Sequence, residues 1–408
     1  MGNVIIGQSG GPTAVINSSL AGAIRAAVDS GKIPKVYGMH HGIEGFLKDE
    51  IIDLHDYFED LYELSLLKRT PAAFLGSCRY KLPEIEGNEE LYEKIFLLLW
   101  KYDIEYFLYI GGNDSMDTVK KLSDYAAAHG KHQKFVGIPK TIDNDLPVTD
   151  HTPGYGSASK FIATTMKELI RDNESFGATE PRISIVEIMG RNAGWLTAAS
   201  ALSKDSDCDG PDLLYLPEVP FDPDAFVTRV RELALIKSSV VVAVSEGIRL
   251  EDGTLVCELS DDYTFVDAFG HRQLSGCSRV LANRVAAATG YKTRPVEFSV
   301  LQRCATHLAA RTDVDEAYNA GYVACQKALA GETGIMITIE VLSRAPYISN
   351  FRSHDVHDIA NLEKKVPLSW IAEDGAHVTD EYLNYVKPLV LGSLSPHYAG
   401  GLPKHLKL

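Results

Sequence analysis

Five times along this chain a short apolar run ends in a turn of glycines and polar side chains, and that repetition constrains the fold more than any single motif. Val4-Ile5-Ile6 gives way to Gly7-Gln8-Ser9-Gly10-Gly11, and the run Ile104 to Ile110 to Gly111-Gly112-Asn113-Asp114-Ser115. Phe135-Val136-Gly137-Ile138 leads into Pro139-Lys140-Thr141-Ile142-Asp143-Asn144-Asp145. Ile183 to Ile188 ends in Met189-Gly190-Arg191, and Val240 to Val244 in Ser245-Glu246-Gly247. Apolar runs of this length between turn residues read as buried strands. The stretches between them carry helical spacing: apolar residues at 15, 16, 20, 24, 27 and 28 predict a helix from Ala14 to Val28, stopped by Gly31. Others are predicted from Met116 to His129 and after Gly154, with Phe161, Ile162, Met166, Leu169 and Ile170 on one side. Further strands are expected at Lys35–Tyr37, Leu213–Leu216 and Gly334–Ile339. Strands alternating with helices give an α/β fold with mostly parallel sheets. In such sheets ligands bind beyond the carboxyl ends of the strands, so the five turns predict one cleft walled by polar loops.

A chain of 408 residues is long enough for two α/β lobes, and no Pro/Gly/Ser-rich linker separates them, so the boundary is expected to be crossed several times. The formal charge of −15 argues against nucleic acid and anionic membranes as partners. A phosphate ligand would therefore need a local cationic pocket. Six cysteines without a CxxC pair point to a reducing compartment and no structural zinc. The apolar run Ile95–Trp100 is too short to cross a bilayer, and the chain enters a strand at once, so no signal peptide is expected and the expected location is the cytoplasm.

The turns carry the chemistry. Pro139 to Asp145 offers two carboxylates, an ammonium, a hydroxyl and an amide within seven residues, enough for a general base and a phosphate clamp, or for a polar turn bonded to its own backbone. The Gly10-Gly11 turn between strand and helix brings backbone N–H groups to a phosphate. It is neither GxGxxG nor a Walker loop, and a tight turn needing glycine is the plainer reading. Asn113 and Asp114 offer oxygens suited to Mg²⁺, or an N-cap to the helix that follows. Arg79, after a small-residue turn, reads as a surface arginine, and His354 and His357 as surface histidines.

Taken in order, Gly10-Gly11, Phe74-Leu75-Gly76-Ser77, Gly111 to Ser115, Pro139 to Asp145, Met189-Gly190-Arg191, Glu246 and Gln302-Arg303 resemble the 6-phosphofructokinases over roughly residues 3 to 340. Asp114 and Lys140 resemble the pyrophosphate-dependent branch, since ATP-using relatives usually have glycine at both positions. The resemblance implies two Rossmann-like three-layer lobes of the phosphofructokinase kind. A phosphoryl-donor lobe is expected over 1–155 plus about 304–370, and a sugar-phosphate lobe over 156–303 plus the C-terminal segment.

By the same resemblance the reaction is reversible, Mg²⁺-dependent phosphoryl transfer from pyrophosphate to fructose 6-phosphate, with Asp143 as general base and Lys140 stabilising the transferring group. Gly11, Gly111, Asp114 and Lys140 would hold the donor, and Asn113 would face the metal where the family usually has aspartate. Thr141, Ile142, Asp143, Met189, Gly190, Arg191, Glu246 and Arg303 would bind the sugar phosphate. Arg182 and Arg294 would reach the 6-phosphate of a neighbouring subunit, implying a homodimer or larger homo-oligomer. Val300 stands where relatives often have histidine or tyrosine. For Asp114 and Lys140 a mere salt bridge is the other reading; for the whole chain the readings left open are an ATP-dependent sugar-phosphate kinase, in which the two play only structural parts, and a catalytically silent sugar-phosphate sensor.

Overall fold

A computed structural model describes residues 2–54, 57, 58, 60–176, 180–259 and 276–408. The chain divides into two compact units, Met1–Ser157 with Arg303–Glu363 and Leu391–Leu408, and Ala158–Gln302 with Lys364–Val390. Among the described residues no helix is long and apolar enough to cross a membrane.

The first unit runs β1 (Asn3–Gln8), α1 (Ile16–Ser30), β2 (Val36–Met39), α2 (Gly42–Leu47), β3 (Ile51–Asp53), α3 (Leu61–Leu67), α4 (Glu89–Lys101), β4 (Ile104–Gly111), α5 (Asn113–Ala128) and β5 (Lys134–Pro139). The chain leaves this unit along α6 (Tyr155–Glu174). The second unit holds β6 (Arg182–Ile188), α7 (Trp195–Ala199), β7 (Leu213–Tyr215), α8 (Pro223–Ile236), β8 (Ser239–Ser245), α9 (Cys277–Thr289) and β9 (Thr293–Glu297). After α10 (Leu301–Cys304) the first unit resumes with α11 (Arg311–Leu329), β10 (Ile335–Arg344) and β11 (Tyr347–Asp355), and α12 (Asp380–Val386) belongs to the second.

In the first unit the sheet order is β11-β10-β5-β4-β1-β2-β3, with β10, β5, β4, β1 and β2 parallel and both edge strands antiparallel. Its central strands are covered on both faces, which is why they read as continuous apolar runs rather than as alternating ones. Val4, Ile6, Leu108 and Val136 face one core, shared with Leu20 and Ile24 of α1. Ile5, Phe107 and Phe135 face another, shared with Met116 and Leu122 of α5. Helix α11 joins through contact with α1 so close that a Cβ on Gly22 would fall 1.9 Å from the Tyr318 carbonyl oxygen. The second unit is a four-stranded parallel sheet, β7-β8-β6-β9, with Ile183, Ile185, Val240 and Val242 packed against Val230 of α8 and Leu281 of α9.

Three expectations need adjusting. Helix α5 begins at Asn113 with Gly112 as its N-cap, so Asp114 and Ser115 lie in the first turn and do not cap it. The strand expected to end at Ile339 continues into a half-exposed antiparallel hairpin over 335–355, where polar and apolar residues mix. The C-terminal segment, expected wholly in the second lobe, splits: 364–390 belongs there, while 391–408 returns to the first unit. There Leu394 packs with Val15 and Ala309, and Leu406 donates its N–H to Thr70 Oγ1 at 2.9 Å.

Candidate active site

In the first unit three strand ends place the functional turns side by side. β4 pairs with β1 on one side and β5 on the other, and the pairs Gln8–Ile110 and Gly111–Pro139 set the turns after them in register. Ser9 N–H donates to the Ile110 carbonyl at 2.9 Å, and Lys140 N–H to the Gly111 carbonyl at 3.0 Å. The 74–79 turn packs on the first of these, with Gly10 N–H on the Cys78 carbonyl at 3.0 Å and Ser77 Oγ on the Gly10 carbonyl at 2.6 Å.

Lys140 is the cation of this turn. Its side chain is 2 % exposed, and Nζ donates to the Gly11 carbonyl at 2.6 Å. Burial lowers its pKa to about 8, against the pull of Asp143 and Asp145, and Arg303 and Arg79 lower it further. A Cβ built on Gly10 would stand 3.3 Å from Lys140 Nζ, and one on Gly11 would stand 3.1 Å from Arg303 Nη1. A side chain at either position would crowd these cations, so glycine lets both stand against the turn. Arg303 was expected in the second lobe. It falls in the first unit because the chain returns there after Gln302. Arg79, read as an ordinary surface arginine, is exposed but close enough to depress Lys140; its signal was the Phe74 to Ser77 motif just before it.

Asp114 lies in the first turn of α5, half-buried, and among the described residues it forms no ion pair with Lys140. The salt-bridge alternative thus finds no support. A carboxylate at a helix N-terminus is favoured by the macrodipole. Asn113, expected to face a metal, is turned elsewhere: Oδ1 accepts from Asn361 N–H, and Nδ2 donates to the Leu362 carbonyl.

The Thr141–Asp145 turn is braced from behind. Thr141 N–H donates to the Pro153 carbonyl at 3.2 Å, and Thr152 Oγ1 to the Thr141 carbonyl at 2.9 Å. Asn144 is fully buried in the left-handed region at φ 54°, its Oδ1 accepting from Thr152 N–H at 3.1 Å. Thr141 Oγ1 accepts from Asp143 N–H at 3.0 Å, which holds the Asp143 backbone in place. Ile142 is buried beneath. Asp145 is more enclosed: Oδ1 is buried with no hydrogen-bond partner among the described residues, and burial, then Asp143, raise its pKa to about 7.

Two buried acids from α11, missed in the sequence because nothing local marks them, anchor the brace. Asp313 accepts from the N–H groups of Gly154 and Ser157, each at 2.8 Å, and so caps α6. Glu316 Oε2 meets His151 Nε2 at 2.7 Å, and Asp150 Oδ1 meets His151 Nδ1 at 3.0 Å.

The second unit presents a different construction. Met189-Gly190-Arg191 follows β6 and Glu246 follows its neighbour β8. Glu246 N–H donates to the Ile188 carbonyl at 2.9 Å, Ser245 Oγ to the Gly190 carbonyl at 2.5 Å, and Gly190 N–H to Glu246 Oε1 at 3.4 Å. A Cβ on Gly247 would fall 1.9 Å from the Arg191 carbonyl oxygen, so the two turns touch backbone to backbone. Glu218 Oε1 accepts from Gly194 N–H at 2.8 Å and Val366 N–H at 3.0 Å, bracing the turn from below. Arg182 and Arg294 are not brought to this edge. Arg182 opens β6, stacked over Phe176 at 5.0 Å, and Arg294 lies near the start of β9, 3.6 Å from Asp172.

The family profile described as Phosphofructokinase matches residues 3–311. A pyrophosphate–fructose 6-phosphate 1-phosphotransferase of Halomonas elongata is 41% identical over 407 residues, covering 100% of this chain and 96% of its own. That of Methylococcus capsulatus is 40% identical with the same coverage. The crystal structure of a pyrophosphate-dependent phosphofructokinase from Nitrosospira multiformis superposes with a TM-score of 0.89 at 37% identity, covering 99% of this chain and 95% of that one.

Proposed function

The chain belongs to the phosphofructokinase family, and we propose that within it the chain transfers a phosphoryl group reversibly between pyrophosphate and the 1-hydroxyl of fructose 6-phosphate. The observation that carries the donor assignment is the pair of turns after the neighbouring strands β4 and β5: the first holds the Asp114 carboxylate, which among the described residues forms no ion pair with Lys140, and the second holds the buried Lys140 ammonium on the Gly11 carbonyl. A nucleotide would add an α-phosphate. Two like charges about 4 Å apart at an effective dielectric near 20 cost roughly 4 kcal/mol, on the order of a thousandfold in affinity. Pyrophosphate escapes that penalty. The names of the relatives agree with this donor.

Phosphoryl transfer depends on alignment and on neutralising spreading charge. Pyrophosphate lies along Gly10-Gly11 and Gly111, with the Lys140 ammonium on the transferring phosphoryl oxygens and Arg303 beside it. At neutral pH a lysine with a pKa of about 8 remains mostly charged. Asp143 takes the proton of the attacking sugar hydroxyl, with Thr141 and the Ile142 backbone alongside. In the second unit Met189 to Arg191 and Glu246 receive the sugar, and Arg182 and Arg294 serve a neighbouring subunit's 6-phosphate. The unpartnered, buried Asp145 Oδ1 fits a cation. No cluster of three or more acid, histidine or cysteine side chains able to hold a metal exists among the described residues. That suits Mg²⁺, which takes one or two carboxylates and completes its shell with phosphate oxygens and water; Asp145 and Asp143 would hold it. When bound, Mg²⁺ supplies neutralising charge to the donor oxygens. We place the enzyme in the cytoplasm.

The test is one assay with each donor. Turnover with pyrophosphate and at least about a hundredfold lower kcat/KM with ATP is expected from the repulsion above. Comparable turnover with ATP overturns the donor assignment. The Asp114→Gly/Lys140→Gly double variant should depress pyrophosphate turnover and admit ATP.

A further inference from the structure

One face of α5 carries Asn113, Asp117 and Lys121 at successive four-residue steps, a polar stripe on a helix whose neighbouring positions line an apolar core. The proposed chemistry uses none of the three. Asp117 and Lys121 are 2 % and 5 % exposed, and Lys121 Nζ meets Asp117 Oδ2 at 2.7 Å, Glu84 Oε1 at 2.8 Å and the Leu82 carbonyl at 2.9 Å. A buried ion pair is weak evidence for stability, because its desolvation cost rivals its attraction; its use must be sought in what it orients. Asp117 Oδ1 accepts from Asn361 Nδ2 at 2.8 Å. Asn361 stands in the left-handed region at φ 64°, a conformation that asparagine tolerates better than most residues. From that position its N–H reaches Asn113 Oδ1, while the next carbonyl, Leu362, accepts from Asn113 Nδ2. The donor on one side and the acceptor on the other fix which way the Asn113 amide points. Asp114 is the next residue of the chain.

We propose that Asn113 and Asn361 form a clamp that fixes the first turn of α5, so that Asn361 is a positioning residue for the Asp114 carboxylate and thereby for donor selectivity. The inference rests on the donor reading above. It also replaces the metal role expected of Asn113: an amide committed at both ends to the backbone of 361–362 serves as a strut. The segment it ties down continues into Glu363, whose charge reaches Asp145, so loosening the clamp also loosens a second group of this half-site.

Asn361→Gly keeps the left-handed backbone accessible and removes only the bond to Asp117; Asn113→Ala removes both backbone bonds. In each variant KM for pyrophosphate should rise about tenfold, as expected for loss of hydrogen bonds to or through a charged group, with kcat and the KM for fructose 6-phosphate changed less than about twofold. The preference for pyrophosphate over ATP should fall about tenfold, and the double variant should cost little more than either single one. Half-saturation by Mg²⁺ should be unmoved in Asn361→Gly. Independently of any donor, hydrogen exchange at the Asn361 amide and in the first turns of α5 should quicken at least about tenfold in Asn113→Ala. Wild-type exchange rates in Asn113→Ala, or an unchanged donor preference in both variants of an enzyme that does prefer pyrophosphate, overturn the clamp. An Asn113→Asp variant that tightens Mg²⁺ half-saturation without quickening exchange overturns it in favour of metal ligation. A wild type that uses ATP as readily as pyrophosphate overturns the donor reading instead, and the exchange measurement then decides the clamp alone.

Discussion

The two units hold the turns at their strand ends by different means. In the first unit, charge and hydrogen-bonding side chains are built into the scaffold: Lys140 lies on the Gly11 carbonyl, Asn144 is buried in a left-handed turn, and Asp313 and the His151–Glu316 pair stand behind the loop. In the second, backbone lies on backbone. Gly247 and Gly190 allow two strand-end turns to touch, and Glu218 supplies the main side-chain brace. The difference follows the proposed ligands. A small, highly charged donor is recognised by where charge sits, and charge stays put only when its neighbours are hydrogen-bonded and dry. A sugar is recognised by shape, and shape can be set by how closely two backbones approach.

The sharpest way to break the contrast is to remove the first unit's cation. Lys140→Met should lower kcat with pyrophosphate by about a thousandfold, the upper range for one preorganised electrostatic group. The melting temperature should hold or rise, since a buried ammonium is replaced by an apolar chain of similar length. A loss under about tenfold would mean that charge does not govern the donor half, and a collapse of the fold would mean that Lys140 is chiefly structural.

Gly247→Ala tests the other side. The added Cβ would meet the Arg191 carbonyl oxygen at 1.9 Å, and the atoms nearest to it are all backbone. A destabilisation of about 3 kcal/mol is expected, with a raised KM for fructose 6-phosphate and an unchanged one for pyrophosphate. Gly112→Ala in the first unit is the control: its Cβ would find nothing closer than 3.6 Å, so only the cost of an alanine N-cap, about 1 kcal/mol or less, is expected. Equal effects at the two glycines would erase the distinction between a unit whose turns are held by side chains and one whose turns are held by backbone contact.

What the sequence disclosed follows the same division. Buried parallel strands read as unbroken apolar runs, so β1, β4, β5, β6 and β8 were legible, together with the turns after them. Lys140, Asp143 and Asp145 were legible because they are crowded into one such turn. Partners distant in sequence were not. Nothing near Asn113 announces that Asn361 and Leu362 take both ends of its amide, so the oxygen expected to face a metal bonds to backbone instead. Asp313, Glu316 and His151 carry the composition of solvated helix and loop, and only tertiary contact buries them. The hairpin beyond Ile339 was missed because a half-exposed edge mixes polar and apolar residues. Arg303 was placed in the wrong unit because its helix lies at a boundary that composition does not mark.

The smallest expected effect concerns the brace behind the Thr141–Asp145 turn, and it is read through pH. Burial alone would lower the His151 pKa. The Glu316 carboxylate, and the bonds to Asp150 and Glu316, outweigh it and raise the pKa to about 9, while His151 holds Glu316 below the usual carboxylate range. Tyr347 donates to the other Glu316 oxygen at 2.6 Å, and Arg344 to Asp150 at 2.6 Å, so Glu316 stays ionised beside the imidazolium. A histidine raised in the folded state contributes its full stabilisation below the unfolded value of 6.5 and loses it as pH climbs through about 9. Stability should therefore fall by roughly 2 kcal/mol across that window, after allowance for the desolvation that buried ions carry. Lys140 works in the opposite sense, because a lysine lowered by burial favours folding as pH rises above about 8. The quantity to measure is thus the difference between wild type and His151→Gln in denaturant titrations at pH 6, 7.5 and 9.5. A gap that narrows with pH marks the charged brace as the first unit's own device; a gap that stays constant would make His151 a packing residue, and the two units would be more alike than their contacts suggest.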